Sequence, residues 1–369
     1  MPVVLKWMNP EVAKVRPYEP GRPIETVARE LGLDPATICK LASNENPLGP
    51  SRRARLAVRR NLEHAHLYPD GYAFELREKV AAAQNVKPGQ ILFGNGSNEI
   101  IEFLGHAFLG PERSLVVSQY AFVVYKLVAQ MFGGRVIEVP AKEMGHNLSA
   151  MARAVEHDTS MIIVCNPNNP TGTLAGEAQV HRFLDHVPAN VLVVFDEAYA
   201  EICLGRMPDT IGLVREGRPN VICLRSFSKA YGLAGLRIGY AVGPESVIQA
   251  LERSRQPFNV NRLAQDAAVA ALDDQAFLTR TRRTFRRGRD QYEEACRELG
   301  LEFVRSYANF ILIKVGDGAH VTRELMKRGV IVRPMAPYQL PEYIRISFGL
   351  PDENTRCVAA LKEILPRKS

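Results

Sequence analysis

The sequence contains no C-x-x-C pair, no H-E-x-x-H run and no apolar stretch approaching ~18 residues. Its six cysteines, Cys39, Cys165, Cys203, Cys223, Cys296 and Cys357, are scattered, and three lie in or beside apolar strand-like runs. That pattern reads as reduced core thiols of a cytoplasmic protein and argues against a disulfide framework. The eight histidines show no ligand spacing, so no structural or catalytic metal is expected. Residues Met1 to Pro10 lack a basic-then-apolar targeting pattern, which leaves a soluble protein with no membrane partner as the expectation. Internal repeats and low-complexity tracts are also missing. The net charge of +7 is spread along the chain, and its densest basic run, Arg280 to Arg289, carries Thr and Phe like one solvated helix face. Nucleic acid is therefore not the expected partner; anionic small molecules are.

What is present is an ordinary globular composition, 46% hydrophobic and 24% charged, over 369 residues. That length is enough for about two domains. Residues 1–45 are proline-rich and read as an irregular arm with one helix, Ile24 to Leu31, ending at Gly32. Between 46 and 245 short apolar runs alternate with helical patterns: Ile91 to Phe93, Ser114 to Val117, Arg135 to Val139, Met161 to Cys165, Val191 to Phe195, Val221 to Leu224 and Ile238 to Val242. These runs are apolar on both alternating faces, as strands buried between two helical layers would be. The expectation is a large three-layer α/β/α domain with a mostly parallel sheet. From 246 to 369 longer helices and the strand candidates Phe310 to Val315, Val330 to Arg333 and Tyr343 to Ser347 predict a smaller α+β domain.

Four strand ends carry polar chemistry, and in open α/β sheets ligands sit beyond the carboxyl ends of strands. Gly94-Asn95-Gly96-Ser97-Asn98 opens a helix whose N-terminal amides can meet a phosphate, although an ordinary turn capped by Ser97 reads the same way. Asn166-Pro167-Asn168-Asn169-Pro170-Thr171-Gly172 fixes a rigid loop that can present an amide, or is a plain tight turn. Asp196-Glu197-Ala198-Tyr199 places a carboxylate at a buried strand end, where it needs a cationic or hydrogen-bonding partner or serves as a helix cap. A protonated ring nitrogen is one such partner. Ser226-Phe227-Ser228-Lys229 continues to Arg237 through a Gly-rich bend, setting an amine suited to carbonyl chemistry beside two hydroxyls and a guanidinium.

Taken together, N-P-N-N-P-T-G, D-E-A-Y and S-x-S-K-x-x-x-x-x-G-x-R resemble the fold-type I pyridoxal-phosphate aminotransferases over almost the whole chain. Asn44-Glu45-Asn46-Pro47, Tyr68-Pro69-Asp70 and Arg345-Ile346-Ser347-Phe348-Gly349 look most like the histidinol-phosphate branch. The resemblance implies that Lys229 bonds the cofactor's carbonyl and shuttles a proton, while Asp196 keeps the pyridine nitrogen protonated. It implies that Asn169 and Tyr199 hold the ring hydroxyl, and that Tyr120 stacks on the ring. Ser226, Ser228 and Arg237, with the backbone at Ser97 and Asn98, would bind the phosphate. Tyr68 would reach the cofactor of a partner subunit, making a homodimer with shared sites, and the arm would pack on the small domain and that partner. For the substrate, Arg345 and Arg333 with Tyr18, joined by Asn169, favour a dianionic phosphate over a carboxylate. Two departures stand out. Asn98 replaces an aspartate common among relatives and should be harmless; Ser118-Gln119 replaces Pro-Thr before Tyr120 and should affect substrate shape preference.

The implied reaction is transamination of histidinol phosphate with 2-oxoglutarate, giving imidazole-acetol phosphate and glutamate in histidine biosynthesis. An aromatic amino-acid aminotransferase, an enzyme doing both, and a phosphothreonine-type decarboxylase would reuse the same cofactor residues. A gene regulator with an aminotransferase-like sensor would need a DNA-binding module, and the ~45 irregular residues before the scaffold do not fit a helix-turn-helix.

Overall fold

The computed structural model describes residues 3–17 and 20–365. A two-residue strand of the arm, β1 (Cys39–Lys40), precedes seven strands that form the main sheet: β2 (Ile91–Gly94), β3 (Ser114–Ser118), β4 (Arg135–Val139), β5 (Thr159–Cys165), β6 (Leu192–Asp196), β7 (Val221–Ser226) and β8 (Gly239–Val242). The strand order is β2-β8-β7-β6-β5-β3-β4. Strands β3 to β7 run parallel to one another, whereas β8 is antiparallel to both β2 and β7.

Successive side chains point to opposite faces of a strand, and here both faces are apolar. Phe93, Val116, Ile162, Val164, Val193, Phe195, Val221 and Cys223 enter one core; Leu92, Leu115, Val117, Met161, Ile163, Val194, Ile222 and Leu224 enter the other. Burying a Val, Ile, Leu or Phe side chain contributes about 1.5–3 kcal/mol, so both helical layers are held to the sheet. The helices Ser97–Phe108 and Val124–Met131 supply buried residues to the second core, and Leu148–Arg153, Glu177–Leu184 and Thr210–Arg215 to the first.

The register aligns the polar strand ends. Cys165 pairs with Asp196, and Asp196 with Leu224. The reversed strand β8 pairs Gly239 with Ser226 on one side and with Gly94 on the other. The carboxyl ends of β2, β5, β6 and β7 therefore open onto one edge of the sheet.

The remaining strands are β9 (Phe303–Val304), β10 (Phe310–Lys314), β11 (Val330–Ile331), β12 (Arg333–Pro334) and β13 (Tyr343–Ser347). They form an antiparallel sheet, β12-β13-β10-β9, plus a parallel pair, β1-β11. The single strand expected from Val330 to Arg333 is thus two, because the chain changes partners at buried Val332. Pro334 cannot donate to a ladder, which suits the edge position of β12. The arm is less irregular than its composition implies: β1 pairs with β11, and Leu41 O accepts from Ser347 N at 2.8 Å.

The 25-residue helix Gln275–Leu299 starts at Asp274, whose side chain accepts from Phe277 N, and ends at left-handed Gly300. Arg280, Arg282, Arg283, Arg286 and Arg287 face solvent, while Thr281, Phe285 and Gly288 face inward at helical spacing. The helix Arg262–Leu272 packs on Arg52–Asn61 and Phe74–Gln84. Among the described residues no helix is long and apolar enough to cross a membrane.

Candidate active site

A cavity of about 430 Å³ opens at the aligned strand ends, a size typical of small-molecule sites. Ser97, Asn98, Asn169, Asp196, Tyr199, Ser226, Ser228, Lys229, Arg237, Arg333 and Arg345 all line it. Residues from the arm, four strand ends and the smaller sheet meet there. Three expected residues do not belong to this group. Tyr18 lies outside the described residues. Tyr68 is 79% exposed and stacks on Phe258 with ring centroids 4.8 Å apart, away from the cleft lining.

Tyr120 is the third, and its placement corrects the expectation of ring stacking. After Ser118 the chain turns, and the Tyr120 side chain packs with Leu312, Met335, Tyr338 and Leu340 beneath the smaller sheet. Phe122, two residues on, is the aromatic that lines the cavity. Gln119 is a brace: its Oε1 accepts from Ala141 N at 3.3 Å and its carbonyl from Lys126 Nζ at 3.2 Å.

The floor of the cleft is Lys229, with its Nζ donating to Ser43 O at 3.2 Å. Burial first, then the guanidiniums of Arg345 and Arg237, push this amine down to about 8, against the opposing pull of Glu45 and Asp196. Deprotonating it at neutral pH therefore costs little. Asp196 is 4% exposed. Tyr125 Oη donates to its Oδ2 at 2.6 Å and Ala198 N to its Oδ1 at 3.2 Å. Burial raises this carboxyl above its ordinary value, while the Tyr125 hydroxyl, the Ala198 amide and Lys229 hold it down. Tyr199 Oη accepts from Asn44 Nδ2 at 3.0 Å, and burial pushes the phenol up.

Of the asparagines in the Asn166–Asn169 loop, two are structural. Asn166 bonds both the N and the O of Ala175, and Asn168 bonds Tyr120 O and Thr171 Oγ1. Only Asn169 lines the cavity, and its Oδ1 accepts from Arg345 Nη1 at 2.5 Å. Its Nδ2 is then the group it can offer a ligand. Arg345 Nη2 also donates to Ala42 O at 2.8 Å, and its guanidinium lies over the Phe310 ring, 5.2 Å from the centroid. Arg333 sits directly opposite Arg345 in the β12-β13 register, so both side chains leave one face of the sheet.

At the other end of the cleft, the 12-residue helix Ser97–Phe108 begins with no side chain capping its amides. Gly96 has φ +77°, and a Cβ there would meet Arg237 Nη2 at 2.6 Å; a Cβ on Gly239 would meet Ser97 N at 2.5 Å. Arg237, itself left-handed at φ +57°, anchors on Asn95 O and Ala234 O at 3.3 and 3.1 Å. Uncapped amides, a guanidinium and the Ser226 and Ser228 hydroxyls make a cradle for a phosphate. A buried carboxylate, an amine of lowered pKa and this cradle in one cavity fit pyridoxal phosphate.

Asn44, Phe122, Tyr125 and Tyr338 were missed by reading the sequence. Asn44 belongs to the turn-dense arm motif, and its only local signal was Asn44-Glu45-Asn46-Pro47. Tyr125 was hidden inside an apolar helical stretch, where an aromatic usually means core.

Residues 36–361 match the family model for aminotransferase class I and II. The histidinol-phosphate aminotransferase of Akkermansia muciniphila is 49% identical over 360 residues, covering 97% of this chain and 99% of that protein. Histidinol-phosphate aminotransferase 2 of Pseudomonas aeruginosa is 47% identical over 363 residues, covering 98% of each. Among solved structures, the Sinorhizobium meliloti histidinol-phosphate aminotransferase in complex with pyridoxal-5'-phosphate superposes with a TM-score of 0.88 at 28% identity, over 97% of both chains. A Thermus thermophilus aspartate aminotransferase variant gives a TM-score of 0.83 at 25% identity, covering 97% of this chain and 99% of that one. The main sheet, the strand-end cleft and these relationships agree, and the chain belongs to the aminotransferase class I and II family.

Proposed function

We propose that this enzyme transaminates histidinol phosphate with 2-oxoglutarate, using pyridoxal phosphate, in histidine biosynthesis. The observation that carries the substrate reading is the Arg333–Arg345 pair, side by side on adjacent strands in the same cavity as Lys229 but apart from the Ser97–Ser226–Arg237 cradle. One phosphate cradle serves the cofactor, and the paired guanidiniums supply a second place for a dianion. When bound, pyridoxal phosphate supplies a protonated aromatic ring that takes up the electron pair left by substrate Cα–H cleavage. With the cofactor in place, Asp196 would accept from its ring nitrogen and favour the protonated form, Asn169 Nδ2 and Tyr199 Oη would hold the ring hydroxyl, and Phe122 would supply the aromatic wall beside the ring. The Lys229 amine takes the proton from the substrate Cα and returns it on the other side of the transfer, a task suited to a pKa near the working pH.

The reading includes a cytoplasmic homodimer whose lobes divide near residues 45 and 245. Tyr68, Tyr72 and Phe74 are 79%, 68% and 67% exposed on one connected segment, and an aromatic surface of that kind supports a partner subunit, with Tyr68 serving the neighbouring cleft. The deciding assay compares turnover of histidinol phosphate and phenylalanine, each with 2-oxoglutarate. Histidinol phosphate is expected to have the higher kcat/KM by at least about 10-fold, since a lost dianion contact at buried Arg345 and half-buried Arg333 costs that much or more. A preference for phenylalanine would overturn the substrate assignment.

A further inference from the structure

We infer that Tyr125 is a positioning residue for the reaction, holding Asp196 as a charged, fixed acceptor for the cofactor's ring nitrogen. The inference rests on the reading that the cleft binds pyridoxal phosphate. Tyr125 lies in the first turn of the helix Val124–Met131 with its side chain fully buried. Its hydroxyl is 2.6 Å from Asp196 Oδ2, and the Ala198 amide is 3.2 Å from Oδ1. Each carboxylate oxygen thus has one protein donor and keeps a lone pair for one more.

The kind of donor matters. Asp196 is buried at the end of β6 between Cys165 and Leu224, and a neutral carboxyl would offer a proton where the ring nitrogen needs an acceptor. A lysine, arginine or protonated histidine beside it would fix the charge but would also neutralise it, competing with the ring. A phenol donates without adding a counter-charge, and burial together with Asp196 holds its proton in place. The orientation of Tyr125 is itself set locally. Phe122 is three residues earlier, its ring 5.7 Å away at 85°, so one turn of chain provides both the cavity's aromatic wall and the tether of its carboxylate. A phenylalanine would fill the same apolar space among Leu115, Val117 and Val128; the hydroxyl is what the core does not require.

The test is Tyr125→Phe, read by titrating cofactor-free protein with pyridoxal phosphate and by steady-state kinetics with histidinol phosphate and 2-oxoglutarate. A hydrogen bond to a buried charge sets the scale: cofactor affinity is expected to fall about 10-fold and kcat about 10–100-fold, with KM within about 3-fold. In the Asp196→Asn background the same substitution is expected to add less than about 2-fold, because the charge it serves is gone. Tyr125→His, which returns an N–H donor, is expected to recover part of the affinity. Wild-type affinity and kcat in Tyr125→Phe would overturn the inference while leaving the cofactor reading intact. So would a full additive loss in the Asp196→Asn background, or equal losses and early melting in the Phe and His variants, which would mark a packing role. A wild-type protein that takes up no cofactor would overturn both.

Discussion

Lys229 and Asp196 line the same cleft, an amine that burial pushes down and a carboxyl that burial pushes up while Tyr125, the Ala198 amide and Lys229 hold it down. Lys229→Ala removes a half-buried side chain whose amine donates to Ser43 O, so the fold is expected to survive. Turnover should fall by about 10³-fold or more, and the visible absorbance of the cofactor-loaded protein should disappear. The two phosphate places separate in the same way. Arg237→Lys is expected to weaken cofactor binding about 10-fold with little change in substrate KM. Arg345→Lys should raise KM for histidinol phosphate about 10–100-fold and leave cofactor affinity nearly unchanged, since a point charge cannot reproduce a planar fork. Equal effects of both variants on both quantities would show that the division of arginines is wrong. Reading the chain one residue at a time found Lys229, Asp196 and Arg237 because a polar side chain at the end of an apolar run is locally conspicuous. It placed Tyr120 in the cleft, where Phe122 lies instead, because the turn after Ser118 decides which of two nearby aromatics faces inward, and no composition rule encodes that turn.

At the scale of elements, the loop after Lys229 is locked against the Gly49-Pro50 turn that follows the arm. Gly232 has φ +69°, and a Cβ there would lie 2.3 Å from Gly49 O and 3.1 Å from Pro50 N. Gly232→Ala is therefore strained in backbone and in space. It is expected to destabilise the protein by about 2 kcal/mol or more, measurable as a drop in Tm and in urea midpoint, with activity lost alongside because Lys229 is three residues away. The helix Ile24–Leu31 and strand β13 matched their sequence boundaries to the residue, since both have clear periodicity and capping or turn residues at their ends. Strand β9, two residues long and half-buried, had no such pattern to betray it.

For the whole molecule, buried titratable groups set the response to pH and to oxidants. His146 Nε2 donates to Cys165 O at 2.7 Å while Nδ1 is buried without a partner, and burial holds the imidazole down to about 4 from its ordinary 6.5. Between those values the unfolded chain binds a proton that the folded chain refuses, so stability should rise with pH from about 4 to about 6.5 and then level off. The contribution is about 3 kcal/mol. Urea unfolding at pH 4.5, 5.5 and 6.5 should show that slope, and His146→Leu should reduce it relative to wild type; parallel profiles would refute the assignment. All six cysteines are free, five are buried, and only Cys203 is half-buried. Burial raises its thiol to about 11, so a thiol reagent should label at most one site slowly in the native state and six after denaturation.

The sequence by itself determined the layered α/β architecture, the strand ends that bear chemistry and the lysine at their centre. Each of these depends on spacing within a few residues: two apolar faces at period two, then a polar turn. The tertiary structure decided which side chains act together. Tyr125 reaches Asp196 across 71 positions, Asn44 reaches Tyr199 across 155, and Arg345 reaches Asn169 across 176. Those pairings follow from the parallel β6-β5-β3 order, the pairing of the arm with β11 and the placement of Arg345 of β13 in the cleft lining. Such long-range packing sets side-chain direction, and local periodicity carries no record of it.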